Sequence, residues 1–183
     1  MKKVFVLVMV AIMTLGMSIK AQAIENPWNE GTFVVNAHAG FIPGVGGSVS
    51  GDYVLVNNWW KGHFTVGGYA NAMFQDVTAS AYGVSSTNHR SSFSFLPRAS
   101  YGLNITNDFE VHAGVMTGIC FINTYNTNNY TSEHYNQTKT YGFEYGTFVG
   151  CRYFFTPNFG VSAEACYSSY YVPYLNAGIT FKF

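Results

Sequence analysis

The sequence predicts an all-β protein, an eight-stranded antiparallel up-and-down transmembrane β-barrel. Three observations predict it. Beyond the N-terminal stretch, apolar residues recur with period two rather than 3.6, which is the signature of strands. The charged residues keep to one parity of those strands and the aromatic and aliphatic residues to the other. The connectors alternate between tight turns and longer polar segments, as in barrels that cross a membrane with short turns on one side and longer loops on the other.

The N-terminus sets the compartment. Lys2 and Lys3 precede an apolar run from Val4 to Met17, and Ala21-Gln22-Ala23 supplies a small-x-small cleavage pattern. Together these read as a secretory signal peptide over residues 1–23. The run, about 14 residues, is short of the about 20 that a permanent membrane helix needs. Residues 24–183 then form one barrel domain.

Eight strands follow, at residues 32–41, 47–56, 62–75, 91–104, 109–122, 139–155, 159–169 and 174–183. The first carries Asn36 and His38 on its polar side, the second Asp52, and the third Tyr69 and Asn71. The fourth sets Phe93, Phe95, Ala99, Tyr101 and Leu103 against Ser94, Arg98, Ser100 and Gly102. In the fifth, Phe109, Val111, Val115, Ile119 and Phe121 oppose Glu110, His112, Gly114 and Gly118. The sixth opposes Tyr141, Phe143, Tyr145, Val149, Tyr153 and Phe155 to Gly142, Glu144, Gly146, Gly150 and Arg152. The seventh opposes Phe159, Val161, Ala163 and Tyr167 to Gly160, Ser162, Glu164 and Ser168. The last opposes Ala177, Ile179, Phe181 and Phe183 to Asn176, Thr180 and Lys182. Lys139 breaks the parity at the margin of a polar segment, where water is available. Asn57-Asn58, Thr106-Asn107-Asp108 and Thr156-Pro157-Asn158 supply turns. Residues 76–90 and 123–138, rich in Ser, Thr, Asn and Tyr, read as long loops on the opposite side.

Composition agrees with this reading. Only 10% of residues are charged, the net charge is zero and aromatics reach 18%, a poor surface for a soluble domain. Neutrality argues against nucleic acid as a partner. Cys120, Cys151 and Cys166 are odd in number and lack C-x-x-C spacing, so neither a disulfide framework nor a metal site is expected, and no cofactor. A soluble ligand-carrying barrel of the lipocalin kind would be lined with apolar residues and coated with charge. The uninterrupted aromatic face here favours a membrane barrel. Glycine collects on the polar face, where a narrow lumen must make room for larger neighbours.

Trp59, Trp60, Phe109, Tyr153, Phe155, Phe159, Phe181 and Phe183 fall near the short-turn end, and Phe41, Phe74, Phe93, Phe121 and Tyr141 near the other. These match the two aromatic girdles of a lipid-facing band. With its signal peptide, eight strands and terminal "GITFKF", the chain resembles the small eight-stranded outer-membrane barrels of the OmpA/OmpX and OmpW-like superfamily. The "FTPNFGVSAEACYS" stretch is similar to the turn and seventh strand of that group, with Glu164 at the place of its inward glutamate. The resemblance implies a bacterial outer-membrane location with both termini periplasmic, in contact with outer-membrane lipid and lipopolysaccharide. It also implies an aromatic-x-aromatic final strand, at Phe181 and Phe183, that is read by the barrel-assembly machinery.

An eight-stranded lumen is just wide enough to be filled by side chains. Asp52, Glu110, Glu144 and Glu164 would therefore pair with Arg98, Arg152 and Lys182 in a packed network, since unpaired buried charge is costly. A narrow path for a small solute or hydrophobic molecule is the alternative. Enzymes that modify outer-membrane lipid exist on this scaffold, so a lipid-modifying enzyme is a second alternative and the histidines its candidates: His38, His63 and His112 on strands, His89 and His134 in the polar segments. No G-x-S-x-G or H-E-x-x-H spacing accompanies them, so the expected function is non-enzymatic. It is envelope integrity or surface adhesion, with an extracellular ligand bound at residues 76–90 and 123–138, whose Tyr-Asn-Ser-Thr composition suits adaptable contacts.

Overall fold

Period-two alternation builds eight strands: β1 (Phe33–Phe41), β2 (Val45–Trp59), β3 (Gly62–Ala81), β4 (Val84–Asn104), β5 (Phe109–Asn128), β6 (Thr131–Thr156), β7 (Phe159–Ser168) and β8 (Leu175–Lys182). The structure, a computed structural model, describes residues 28–60, 62–81, 84–128, 131–169 and 172–183, and side chains among them except at 79–85 and 127–137. The expected signal peptide lies outside these residues.

Each strand pairs antiparallel with its neighbour in sequence, and β1 pairs with β8 to close the ring. The closing ladder runs from Val34 opposite Lys182 to Phe41 opposite Leu175. It ends with the Phe33 and Phe183 amides and carbonyls exchanging hydrogen bonds of 3.0 and 2.8 Å. Closure removes both sheet edges, which hydrocarbon does not tolerate.

The parity of the sequence survives in the ring. In β7, Gly160, Ser162, Glu164, Cys166 and Ser168 are buried while the residues between them face outward. The pattern is inverted relative to a soluble barrel. Arg98, Arg152, Glu110, Glu144, Glu164 and Asp52 are among the most buried side chains, and all eight strands expose large apolar residues outward. A water-soluble monomer rarely exposes more than a few hundred Å² of continuous apolar surface.

Tight turns close the end that carries the termini. The Thr106 hydroxyl accepts from the Phe109 amide at 3.0 Å, and that of Thr156 accepts from the Phe159 amide at 3.1 Å. The turn expected at Asn57-Asn58 lies further on. β2 continues to Trp59 through two register shifts, with Asn58 and Trp60 at positive φ.

The larger departure concerns the expected loops: residues 76–81, 84–90, 123–128 and 131–138 are strand. β3 and β4 stay in register from Gln75 opposite Arg90 to Ala81 opposite Val84, and β4 pairs with β5 as far as Ser86 and Asn128. Cross-strand contacts account for this. The Thr78 and Thr87 hydroxyls meet at 3.1 Å, His89 Nδ1 lies 2.8 Å from Asp76, and the His89 ring stacks on Tyr125 at 4.7 Å. Such pairs are the unit of sheet stabilisation, and a ladder already closed extends without a new loop cost. The wall is therefore lopsided: β1, β7 and β8 have 9, 10 and 8 residues, β3 to β6 between 20 and 26. A membrane strand needs about 9–11, so β3 to β6 rise well beyond that height.

Candidate functional site

The lumen is filled in layers. At the terminus end, Trp28 precedes β1 and turns inward. It is 1% exposed, stacked on His63 at 4.6 Å, edge-on to Phe154 at 5.7 Å, and packed with Val34 and Val54. No local pattern marks Trp28 as buried; its neighbours in space come from β1, β2, β3 and β6.

Above this plug lies the charge cluster. Arg98 of β4 donates from Nε to Oδ1 of Asp52 at 2.7 Å and from Nη2 to Oδ2, a two-pronged pair with β2. Its Nη1 lies 3.1 and 3.2 Å from the Glu164 oxygens of β7. Arg152 of β6 reaches the same Asp52 Oδ2 at 2.5 Å, Glu110 of β5 at 3.1 and 3.3 Å, and Asn36 of β1 at 3.3 Å. His112 sits between two carboxylates, with Nδ1 3.5 Å from Glu110 and Nε2 3.3 Å from Glu164. His63 Nε2 is 3.4 Å from Glu110, close but outside hydrogen-bonding geometry.

Five of the seven residues expected in the network thus meet: Asp52, Arg98, Glu110, Arg152 and Glu164. Two stand apart from them. Glu144 is buried higher up, accepting from the hydroxyls of Ser94 at 2.6 Å and Ser168 at 2.9 Å. Lys182 has the expected parity, but at the end of β8 its ammonium lies over Phe154 and Trp28, 4.6 and 5.2 Å from their centroids. Burial of Phe148 and Phe154, by contrast, follows from their even positions within β6.

Glycine creates the room. A Cβ at Gly102 would run into the His63 ring, and one at Gly114 would meet Phe148 at 2.7 Å. Tyr69, Leu96, Met116, Phe148, Cys166 and Val172 form a second apolar layer, Phe148 lying 4.7 Å from the Arg98 guanidinium. Val172 and Pro173, in the connector between β7 and β8, are buried in this end of the lumen. All three cysteines are free.

His38 and Ser162 place Nε2 and Oγ 2.6 Å apart, a spacing compatible with a nucleophile and its base. His38 Nδ1 has no hydrogen-bond partner to orient the ring, and both residues are buried inside the wall. The pair lacks the third group and the access that acyl chemistry needs. Among the described residues no group of three or more metal-ligating side chains comes together. The His134 side chain lies outside the described residues.

The expected interface aromatics all face outward. Trp59, Trp60, Tyr153, Phe155, Phe181 and Phe183 are between 37% and 85% exposed. The Tyr101 hydroxyl binds the carbonyls of Trp59 and Trp60 at 2.8 and 2.9 Å, and Phe159 links Phe155 to Phe181 by ring contacts of 6.4 and 5.3 Å.

An eight-stranded ring, apolar outside and charged within, is the fold of the small outer-membrane barrels. The chain is similar in structure to a major outer membrane protein from Thermus thermophilus, with a TM-score of 0.59 and 14% identity over 83% of this chain and 99% of that one. It also matches Ail of Yersinia pestis (TM-score 0.46, 10% identity, 85% and 100% covered) and Neisserial surface protein A (0.48, 15%, 83% and 94%). No family model matches the sequence, and no curated protein is significantly similar to it.

Proposed function

We propose that this chain is a non-enzymatic barrel of the bacterial outer membrane, closed to solutes, with periplasmic termini. It presents the β3–β4 and β5–β6 hairpins outside the cell for surface binding while its wall contributes to envelope integrity. One observation carries the reading. Phe93, Phe121 and Tyr141 form a continuous outward aromatic row beside Phe74, and above it the same strands continue into Ser-, Thr- and Asn-rich hairpins over a lumen packed with paired charge. Trp59, Trp60, Tyr153, Phe155, Phe181 and Phe183 serve as membrane-interface anchors, and Phe181 and Phe183 as the signal for assembly.

Epitope tags test the orientation. Tags placed between β3 and β4 and between β5 and β6 are expected to bind antibody on intact cells. Tags in the 105–108 turn or after Phe183 should bind only after the outer membrane is permeabilised. The opposite pattern overturns the reading.

A further inference from the structure

Lys139, whose parity sets it outside the lumen, has a consistent role on the outer wall. Register places Asn123 opposite Lys139 and Ser91 opposite Asn123, a polar row across β4, β5 and β6. The row immediately below is aromatic: Phe93 opposite Phe121 opposite Tyr141, the last two in edge contact at 5.4 Å. A depression of about 380 Å³ lies over the two rows. It adjoins a second, of about 500 Å³, with Ala72 and Phe93 shared between them. The second runs down the wall over small residues, Gly47, Ala70 and Ala37, towards Ile179.

Among the described residues Lys139 is the outward cation. Arg98, Arg152 and Lys182 point into the lumen, and Arg90 has the parity of Ser92 and Ser94. Among the described side chains none forms an ion pair with Lys139, and the carboxylate one row above, Asp76, is engaged by His89 at 2.8 Å. A cation at the rim of an aromatic belt extends its stem along apolar surface and holds its ammonium at headgroup level. Among the described side chains none supplies its counter-charge.

We propose that this wall is a specific lipid site, binding a phosphorylated, multiply acylated lipid of the outer leaflet. Lys139 takes the headgroup phosphate, Ser91 and Asn123 flank it, and an acyl chain lies over Ala72 in the groove of small residues. The site rests on the outer-membrane orientation proposed above. Charge and shape support it separately: the lysine selects an anion, and the groove selects a chain rather than a flat protein face.

The test is native mass spectrometry of the folded barrel in detergent, with bis-phosphorylated, hexa-acylated lipid A as probe. The lysine is varied by Lys139→Ala, Lys139→Glu and Lys139→Arg. The groove is filled by Gly47→Leu, where a Cβ meets nothing nearer than the His38 carbonyl at 3.5 Å. Heat-modifiable mobility on gels verifies that each variant is folded. Retention should fall about fivefold in Lys139→Ala, the size of one basic contact with an anionic headgroup. It should fall further in Lys139→Glu, recover in Lys139→Arg, and fall in Gly47→Leu with the lysine intact. Equal retention of dephosphorylated lipid A, full displacement by equimolar inorganic phosphate, or a lipid-free dimer occupying the wall would each overturn the site. None of these results touches the orientation, which the tags test independently, or the closed lumen, which conductance tests.

Discussion

Oδ2 of Asp52 accepts a hydrogen bond from Nη2 of Arg152 at 2.5 Å, joining β2 to β6 through the middle of the lumen. The same oxygen accepts from Arg98, so one carboxylate holds both guanidiniums. Replacing Asp52 with Ala leaves each arginine buried with one carboxylate fewer. Breaking a buried pair of this kind costs about 3–5 kcal/mol. The expected result is a lower urea midpoint for unfolding from lipid vesicles; an unchanged midpoint would remove Asp52 from the centre of the cluster.

Gly102 and His63 face each other across β3 and β4. A Gly102→Val substitution forces the imidazole away from Glu110 and overpacks the lumen, at about 1–3 kcal/mol. Gly47→Val on the outer wall, where a Cβ has ordinary contacts, is expected to change stability little. Similar losses at both positions would contradict a packed interior.

Ile179 and Thr180 are neighbours on opposite faces of β8, the first 42% exposed and the second buried. Ile179→Lys is expected to cost about 2–4 kcal/mol if it lies at the bilayer midplane. Thr180→Val should be neutral or stabilising by about 1 kcal/mol, because the Thr180 hydroxyl is buried without a hydrogen-bond partner. Refolding titrations in urea with vesicles check both, and a destabilised Thr180→Val together with a tolerated Ile179→Lys would reverse the faces.

The three tryptophans report on different places. Trp28 is enclosed by the lumen, whereas Trp59 and Trp60 are 55% and 85% exposed on the outer wall. In single-tryptophan variants, brominated acyl chains are expected to quench Trp59 and Trp60 and to spare Trp28. Quenching of Trp28 as strong as that of Trp59 would show that the plug is misplaced.

Parity made the faces of the barrel legible from sequence, because side chains alternate with a fixed period and Arg98, Glu110, Arg152 and Glu164 fall on one side of it. Their mutual pairing followed from the narrow lumen. The extension of β3 to β6 was not legible. Thr78, Thr87 and His89 sit in Ser-, Asn- and Thr-rich stretches that locally resemble loops, and only partners on adjacent strands make them sheet. Trp28 escaped for a related reason: its burial depends on His63 and Phe154, distant in sequence. Lys182 has the expected face, and the rings of Trp28 and Phe154 beneath its ammonium were not legible, since parity fixes direction and says nothing about which side chains wait there.

Planar-bilayer conductance of the pure, refolded protein tests the central claim most directly. A lumen plugged by Trp28, crossed by the Asp52, Arg98, Arg152 and Glu164 pairs, and capped by Tyr69, Phe148 and Val172 predicts a quiet bilayer. Reproducible large single-channel steps would contradict it.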